Sequence, residues 1–215
     1  MRDPKTFLDR LGVKVSPDFS YTTALAAGES LNIKLDESLR LIAREWPEMS
    51  REASQAILGV VWAQSDGFES GCDPKQFGVI VLNKDVFQQA SPWEIATALI
   101  HETSHHALYV ETTLDPLIPD DFMTPLYSTI RRETRPAIGV LHAAYAIARR
   151  GIWGLRLKRN GSEPGAVDEV RRIGRQYIHH YGTLLTELEK IRFSPRGAHI
   201  YQELRGLEPD FRELT

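Results

Sequence analysis

The chain has 215 residues, of which 42% are hydrophobic and 26% charged, and its formal net charge is -3. This length supports one sizeable core and is short for two, and the small net charge with dispersed arginines excludes the basic footprint of a nucleic-acid-binding protein. No stretch approaches the ~18 consecutive apolar residues of a membrane span and no signal-peptide core follows the N-terminus, so we expect a cytoplasmic protein without membrane or nucleic-acid partners.

The first part of the chain is predicted to be a helical scaffold. Helices are expected over residues 19–28 and 35–45, and the second carries apolar residues on related faces. Pro47 ends this second helix, because proline cannot donate the amide hydrogen bond of a helix interior. Neither helix carries residues that indicate chemistry.

Two short strands are predicted next. Residues 57–64 are rich in valine and isoleucine and are interpreted as a strand, although they also fit the end of a helix that starts near Ser50. Residues 78–83 form an apolar run typical of a buried strand, and the two strands can pair. The intervening residues 65–77 contain two glycines and a proline and are predicted to form a surface loop.

A helix is predicted from Pro92 to about Val110. Ser91 suits the N-cap, Pro92 the first helical position and Glu94 the third, which together make a capping box. Prolines beyond the helix then break the pattern. A strand, a short loop and a helix in this order are the arrangement expected of zincin-like metalloenzymes, provided that the helix carries the metal ligands.

This helix carries His101-Glu102-Thr103-Ser104-His105, a His-Glu-x-x-His motif. Residues four apart lie about 40° apart around a helix and one turn along it, so His101 and His105 can direct their imidazoles at one metal ion. Glu102 points about 100° away from His101, beside the metal, and is the candidate catalytic carboxylate. The alternative is a histidine pair in the core of an ordinary helix.

Two long helices are predicted after the proline-rich residues 115–125. The first runs over residues 136–150, with a proline at its start and Gly151 at its end. The second runs over residues 166–191 and has apolar residues at helical spacing.

The predicted elements define an α+β fold that is mostly α-helical. We expect the zincin-like HExxH helix to pack beside a small antiparallel sheet in a single catalytic domain. Within that domain, residues 1–50 form an N-terminal helical part, residues 51–155 the metal-site core and residues 156–215 a C-terminal helical part.

A catalytic metal needs at least a third protein ligand. His142 is the strongest candidate, because it is a lone imidazole among small residues that let its helix approach a neighbouring helix closely. The alternative role for His142 is a hydrogen-bonded core residue. The metzincin continuation is absent, since Leu108 stands where that motif has its turning glycine. The weaker candidates are Glu111, Asp115, Asp121 and Glu133.

The stretch from Ala98 to Trp153 resembles the HExxH-type peptide beta-hydroxylases, which depend on iron and 2-oxoglutarate and are associated with ribosomally made peptide natural products. The resemblance rests on the motif helix and on Arg135-Pro136-Ala137-Ile138-Gly139-Val140-Leu141-His142, an Arg-Pro pair followed by a leucine-histidine helix. It implies an oxygenase that uses iron(II), 2-oxoglutarate and dioxygen to hydroxylate a side-chain carbon, the beta carbon above all, of a precursor peptide.

The resemblance also implies roles for individual residues. His101, His105 and His142 would hold the iron(II). Arg135 would bind the distal carboxylate of 2-oxoglutarate, because an arginine can donate two parallel hydrogen bonds to a carboxylate, and a surface ion pair is its alternative role. Glu102 would then orient a ligand or a water molecule rather than act as a base. The alternative anchors are Arg131 and Arg132.

The same residues also fit a zinc-dependent metallopeptidase. In that interpretation His101, His105 and a third ligand hold zinc, and Glu102 is the general base that takes a proton as water attacks a peptide carbonyl. A third interpretation is a non-catalytic protein that binds a peptide or a metal. The sequence leaves open the oligomeric state and whether the substrate is a peptide or a free amino acid.

Overall fold

The computed structural model describes residues 20–22, 29–64, 68–160 and 163–215. The chain divides into two compact units, Met1–His106 and Ala107–Thr215, and the boundary falls within the helix that carries the His-Glu-x-x-His motif. The predicted single domain and its three parts stay predictions. No helix in the described residues has both the length and the apolar character needed to cross a membrane.

The first unit combines N-terminal helices with a sheet of four strands among the described residues. The strand order is β1-β2-β4-β3, in which the central β2–β4 pair is parallel and the two outer pairs are antiparallel. The elements are β1 (Ser20–Thr22), α1 (Glu29–Glu45), α2 (Pro47–Ala56), β2 (Gly59–Gln64), β3 (Ser70–Cys72), a 3-10 turn (Pro74–Gln76), β4 (Val79–Asn83), α3 (Lys84–Phe87) and α4 (Pro92–Leu114), which continues into the second unit.

The predicted pair of strands is confirmed as β2 and β4. Both the strand and the helix considered around residue 57 exist, because α2 ends at Ala56 and β2 begins at Gly59. Ile80 and Leu82 of β4 are fully buried, as the continuous apolar run predicts for a central strand. Gly78 precedes β4 with a φ of 87°, a left-handed conformation that glycine adopts without steric cost.

Two predictions for the N-terminal half need correction. Residues 20–22 form β1 rather than part of a helix, because their pairing with β2 outweighs local helix propensity. Residues 19 and 23–28 of that predicted helix lie outside the described residues. The predicted loop over residues 65–77 contains β3, which pairs with β4. The helix predicted over residues 35–45 is confirmed and begins earlier, at Glu29.

The helix predicted from Pro92 is confirmed as α4. The Ser91 N–H donates to Glu94 Oε2 at 2.8 Å, and the Glu94 N–H donates to Ser91 Oγ at 3.3 Å, so the capping box forms as the sequence indicates. The helix continues past the predicted end at Val110, to Leu114. Its motif residues therefore lie well inside a regular helix.

The second unit is largely helical. Because helices also make up much of the first unit beside its small sheet, the predicted mostly α-helical α+β class is confirmed. The zincin-like arrangement of α4 stays a prediction. After the end of α4, the elements are the antiparallel hairpin of β5 (Pro125–Ser128) and β6 (Glu133–Pro136), α5 (Ala137–Asn160), α6 (Pro164–Ile173), a π-helical turn (Gly174–Ile178), α7 (His179–Leu188), α8 (Pro195–Phe211) and a 3-10 turn (Arg212–Leu214).

The predicted end of α5 at Gly151 is wrong, because the helix continues to Asn160. A Cβ atom at Gly151 would collide with the ring of Phe211, so glycine serves close packing here and does not cap the helix. The helix predicted over residues 166–191 is present as α6 and α7, joined by the π-helical turn. A Cβ atom at Gly174, in that turn, would collide with the Leu214 carbonyl oxygen.

Candidate metal centre

His101 and His105 lie one turn apart on α4, and their rings meet edge to face. Their Nε2 atoms are 3.1 Å apart, and the ring planes are inclined by 84°. Metal–imidazole bonds are roughly 2.0–2.1 Å long, so two imidazole nitrogens on neighbouring positions of one ion lie roughly 3–3.4 Å apart. The pair therefore fits two ligands of one metal ion. In the absence of an ion, the same separation holds an N–H···N hydrogen bond.

Glu102 is buried beside this pair. Its side chain is 2% exposed, and Oε1 lies 4.0 Å from His101 Nε2. The same oxygen accepts a 2.6 Å hydrogen bond from Ser70 Oγ on β3. Because Ser70 holds the carboxylate in place, Glu102 can orient a polar group or exchange a proton next to the histidines.

Ser70 is a residue near this site that sequence reasoning missed, and Cys72 lies on the same strand. They are two positions apart on β3, so their side chains share one face of the strand. Cys72 Sγ donates to the Glu102 carbonyl oxygen at 3.9 Å. Burial first, and then the Glu102 carboxylate, raise the pKa of the Cys72 thiol, so it stays protonated and is a poor nucleophile.

Replacing Ser70 by alanine is expected to destabilise the protein by about 1.5 kcal/mol, because a buried carboxylate loses a hydrogen bond. Chemical denaturation measures the change. In a Glu102→Gln background the same substitution should cost less, since a neutral amide oxygen accepts more weakly. The matched control is Ser54→Ala, which removes an exposed hydrogen bond to the Arg51 carbonyl. Equal effects of the two serine substitutions would contradict the role of Ser70.

His106 is part of the core of the first unit. Its ring is fully buried and meets the ring of Phe77 edge to face, with the centroids 5.0 Å apart. Burial lowers the pKa of His106, and a hydrogen bond with the backbone of Val79 opposes that shift. A neutral, enclosed imidazole of this kind serves packing.

His142, the predicted third ligand, lies on α5 in the second unit. It is 9% exposed, and its ring centroid is 4.6 Å from that of Tyr109. Burial lowers its pKa to about 4, so the imidazole is neutral at pH 7, which is the form that binds metals. Its role as a ligand stays a prediction.

The structure brings together part of the predicted ligand set, namely His101 and His105. Across residues 20–22, 29–64, 68–160 and 163–215, no group of three or more His, Cys, Asp or Glu side chains could hold a metal ion. The donor chemistry and the spacing of the histidine pair nevertheless fit a transition metal, because neutral imidazoles are common ligands of zinc and iron.

Several weaker ligand candidates have other partners. Glu111 accepts two hydrogen bonds from Arg196, at 2.8 and 2.7 Å, and the side-chain hydrogen bond from this arginine lowers the pKa of Glu111. Asp121 accepts the Arg192 backbone N–H at 2.8 Å. Glu133 begins β6, and its side chain is exposed.

The three arginines predicted to anchor 2-oxoglutarate lie on or beside the β5–β6 hairpin. The Arg135 side chain is 41% exposed, with Nε 4.0 Å from Glu133 Oε1, which is the surface ion pair considered as its alternative role. Arg131 and Arg132 are exposed in the turn, where Arg132 has a φ of 55°. The anchoring role of all three stays a prediction.

Comparisons of this chain with protein-family models and with curated proteins give no match. The two features of the chain that bear on function are therefore the histidine geometry of α4 and the resemblance of residues 98–153 to the peptide beta-hydroxylases.

Proposed function

We propose that this protein is a metal-dependent enzyme, and specifically a cytoplasmic iron(II)- and 2-oxoglutarate-dependent oxygenase. Its substrate would be a precursor peptide of a ribosomal natural product, hydroxylated at a side-chain carbon, the beta carbon above all. The observation that carries the metal-dependent part is the 3.1 Å separation of His101 Nε2 and His105 Nε2. The oxygenase part rests on the resemblance of residues 98–153 to the peptide beta-hydroxylases.

In this proposal each residue has a defined task. His101 and His105 hold the ion, with His142 as the third ligand. When bound, iron(II) with 2-oxoglutarate and dioxygen supplies C–H hydroxylation, in which 2-oxoglutarate is converted to succinate and carbon dioxide. Glu102, fixed by Ser70 Oγ at 2.6 Å, orients a polar group beside the ion. The anchor of the distal carboxylate of 2-oxoglutarate is Arg135, with Arg131 and Arg132 as alternatives.

A zinc-dependent metallopeptidase is the second candidate, and one observation favours it. The buried Glu102 carboxylate lies 4.0 Å from His101 Nε2, which is close enough to serve as a general base for hydrolysis at an ion held by the histidines. Zinc, when bound, activates water for attack on a peptide carbonyl.

The two candidates are separated by loading the metal-free protein with each ion. Under nitrogen, iron(II) and 2-oxoglutarate together should produce a visible charge-transfer absorption that neither gives alone and that His101→Ala abolishes. After air is admitted with a library of short peptides, succinate should form and some peptides should gain the mass of one oxygen atom.

The parallel arm uses zinc and a fluorescently labelled casein. No cleavage is expected from the zinc-loaded protein. Cleavage with zinc that Glu102→Gln abolishes, together with no consumption of 2-oxoglutarate by the iron-loaded protein, would replace the oxygenase by the metallopeptidase.

A further inference from the structure

Arg150 is a buried arginine in the middle of α5. The residue is 6% exposed, and its guanidinium carbon lies 3.9 Å from the ring centroid of Tyr177. At this distance the planar guanidinium lies against the face of the phenol ring, a contact that orients the cation and stabilises it in part. Tyr177 comes from the π-helical turn Gly174–Ile178.

Arg150 forms no salt bridge with a carboxylate in the described part of the chain. The ion pairs of neighbouring segments join other arginines to carboxylates, such as Arg171 to Asp168 and Arg172 to Glu169. Among the described residues, Arg150 Nε is enclosed and has no hydrogen-bond partner. Since a guanidinium does not lose its proton in proteins, the charge stays in place.

Arg172 is a second arginine at the same tyrosine ring, and a carboxylate balances its positive charge. It also lies against Tyr177, with its guanidinium carbon 5.6 Å from the ring centroid. Both oxygens of Glu169 accept hydrogen bonds from Arg172 at 2.7 Å, and the Tyr177 hydroxyl accepts a third at 3.1 Å. One ring therefore contacts one arginine with a carboxylate partner and one without.

A buried charge without a counter-ion is unfavourable, because removing an ion from water is costly unless a partner offsets the loss. A cation–π contact offsets only part of that cost. The arrangement is more favourable when an anion joins Arg150. The π-helical turn supports the same conclusion, since such turns occur frequently at functional sites and this one places Tyr177 against the guanidinium.

We propose that Arg150, held over the ring of Tyr177, is a binding site for one small oxyanion, either a carboxylate or a phosphate group of a ligand. A guanidinium edge carries two parallel N–H donors that match two oxygens of either group. The site is independent of the metal chemistry at His101 and His105, and it uses no residue assigned to 2-oxoglutarate.

The test is anion binding to the full-length, metal-free protein at constant ionic strength. The probes are inorganic phosphate and glutarate, which lacks the keto group needed to chelate a metal. One of them should bind saturably in calorimetry and raise the unfolding temperature. Arg150→Met should weaken binding of that probe at least tenfold. Tighter binding of glutarate would identify a carboxylate ligand, and tighter binding of phosphate would identify a phosphate ester.

Arg175→Met is the matched control. Arg175 lies exposed in the π-helical turn that carries Tyr177, and its substitution removes the same single positive charge as Arg150→Met. It should change the dissociation constant less than twofold. Equal weakening by the two variants, or no saturable binding of either probe to the unmodified protein, would overturn the proposal.

A second measurement needs no folded variant at position 150. In the unmodified protein, the side-chain Nε–H resonance of Arg150, assigned from through-bond correlation spectra of that same protein, should shift and saturate with the same midpoint as the calorimetric titration. A resonance that does not move during saturable binding would place the anion elsewhere. Because no metal is present, this result is separate from the success or failure of the oxygenase proposal.

Discussion

Replacing His101 or His105 by alanine is expected to weaken transition-metal binding by roughly 100-fold or more. Even residues that only support metal ligands change affinity by about 10–100-fold, so the loss of a ligand should cost at least as much. The reason is geometric, because the Nε2 atoms lie 3.1 Å apart and each alanine removes one of the two imidazoles of this pair. Titration of the metal-free protein with cobalt(II), followed by its visible absorption, measures the effect.

His199→Ala is the control for this experiment. His199 is an exposed histidine on α8 whose Nε2 lies 3.3 Å from Glu203 Oε1. Its substitution should leave the cobalt dissociation constant within twofold. Both motif histidines are only partly buried, so their alanine variants should keep the circular dichroism of the unmodified protein. Undiminished cobalt binding in the double variant would show that the pair holds no metal.

The motif helix could be predicted because its signals are local. The capping box at Ser91 and Glu94, and the four-residue spacing of the histidines, act within one or two turns of the chain. The structure forms the cap and brings the histidine rings together as that spacing requires. This half of the candidate site needs no information from distant residues.

Ser70 could not be predicted in the same way, because its position depends on pairing with a distant strand. β3 has three residues and contains a glycine, so it has no apolar alternation that distinguishes it from a loop. It becomes a strand through its register with β4, in which Ser70 lies opposite Leu82. That pairing places Ser70 beside a carboxylate 32 positions further along the chain.

Glycine was a misleading signal in the second unit. Gly151 satisfies the local pattern of a helix end, yet it lies inside α5 because the ring of Phe211 occupies the space of a side chain. A contact 60 positions away in sequence leaves no local pattern. Packing of this kind can be tested where two glycines of one helix differ in their surroundings.

Gly197→Ala is expected to destabilise the protein by about 3 kcal/mol, the upper part of the usual range for overpacking. Gly197 lies in the first turn of α8, where its N–H donates to the N-cap Ser194 Oγ at 3.0 Å. A Cβ atom there would collide with the Leu117 carbonyl oxygen. That oxygen accepts the Ser194 N–H at 3.0 Å, so moving it away also weakens the start of the helix.

Gly206→Ala provides the opposite result on the same helix. Apart from the chain neighbours and the adjacent backbone of the helix, no atom lies within 4 Å of a Cβ atom built at Gly206, and the residue is exposed. Alanine should stabilise the protein here by about 0.5–1 kcal/mol, because it reduces the backbone entropy of the unfolded chain. Thermal and urea denaturation of both variants measure the difference. Effects of the same sign would show that helix propensity, rather than the contact of α8 with Leu117, determines the stability of this segment.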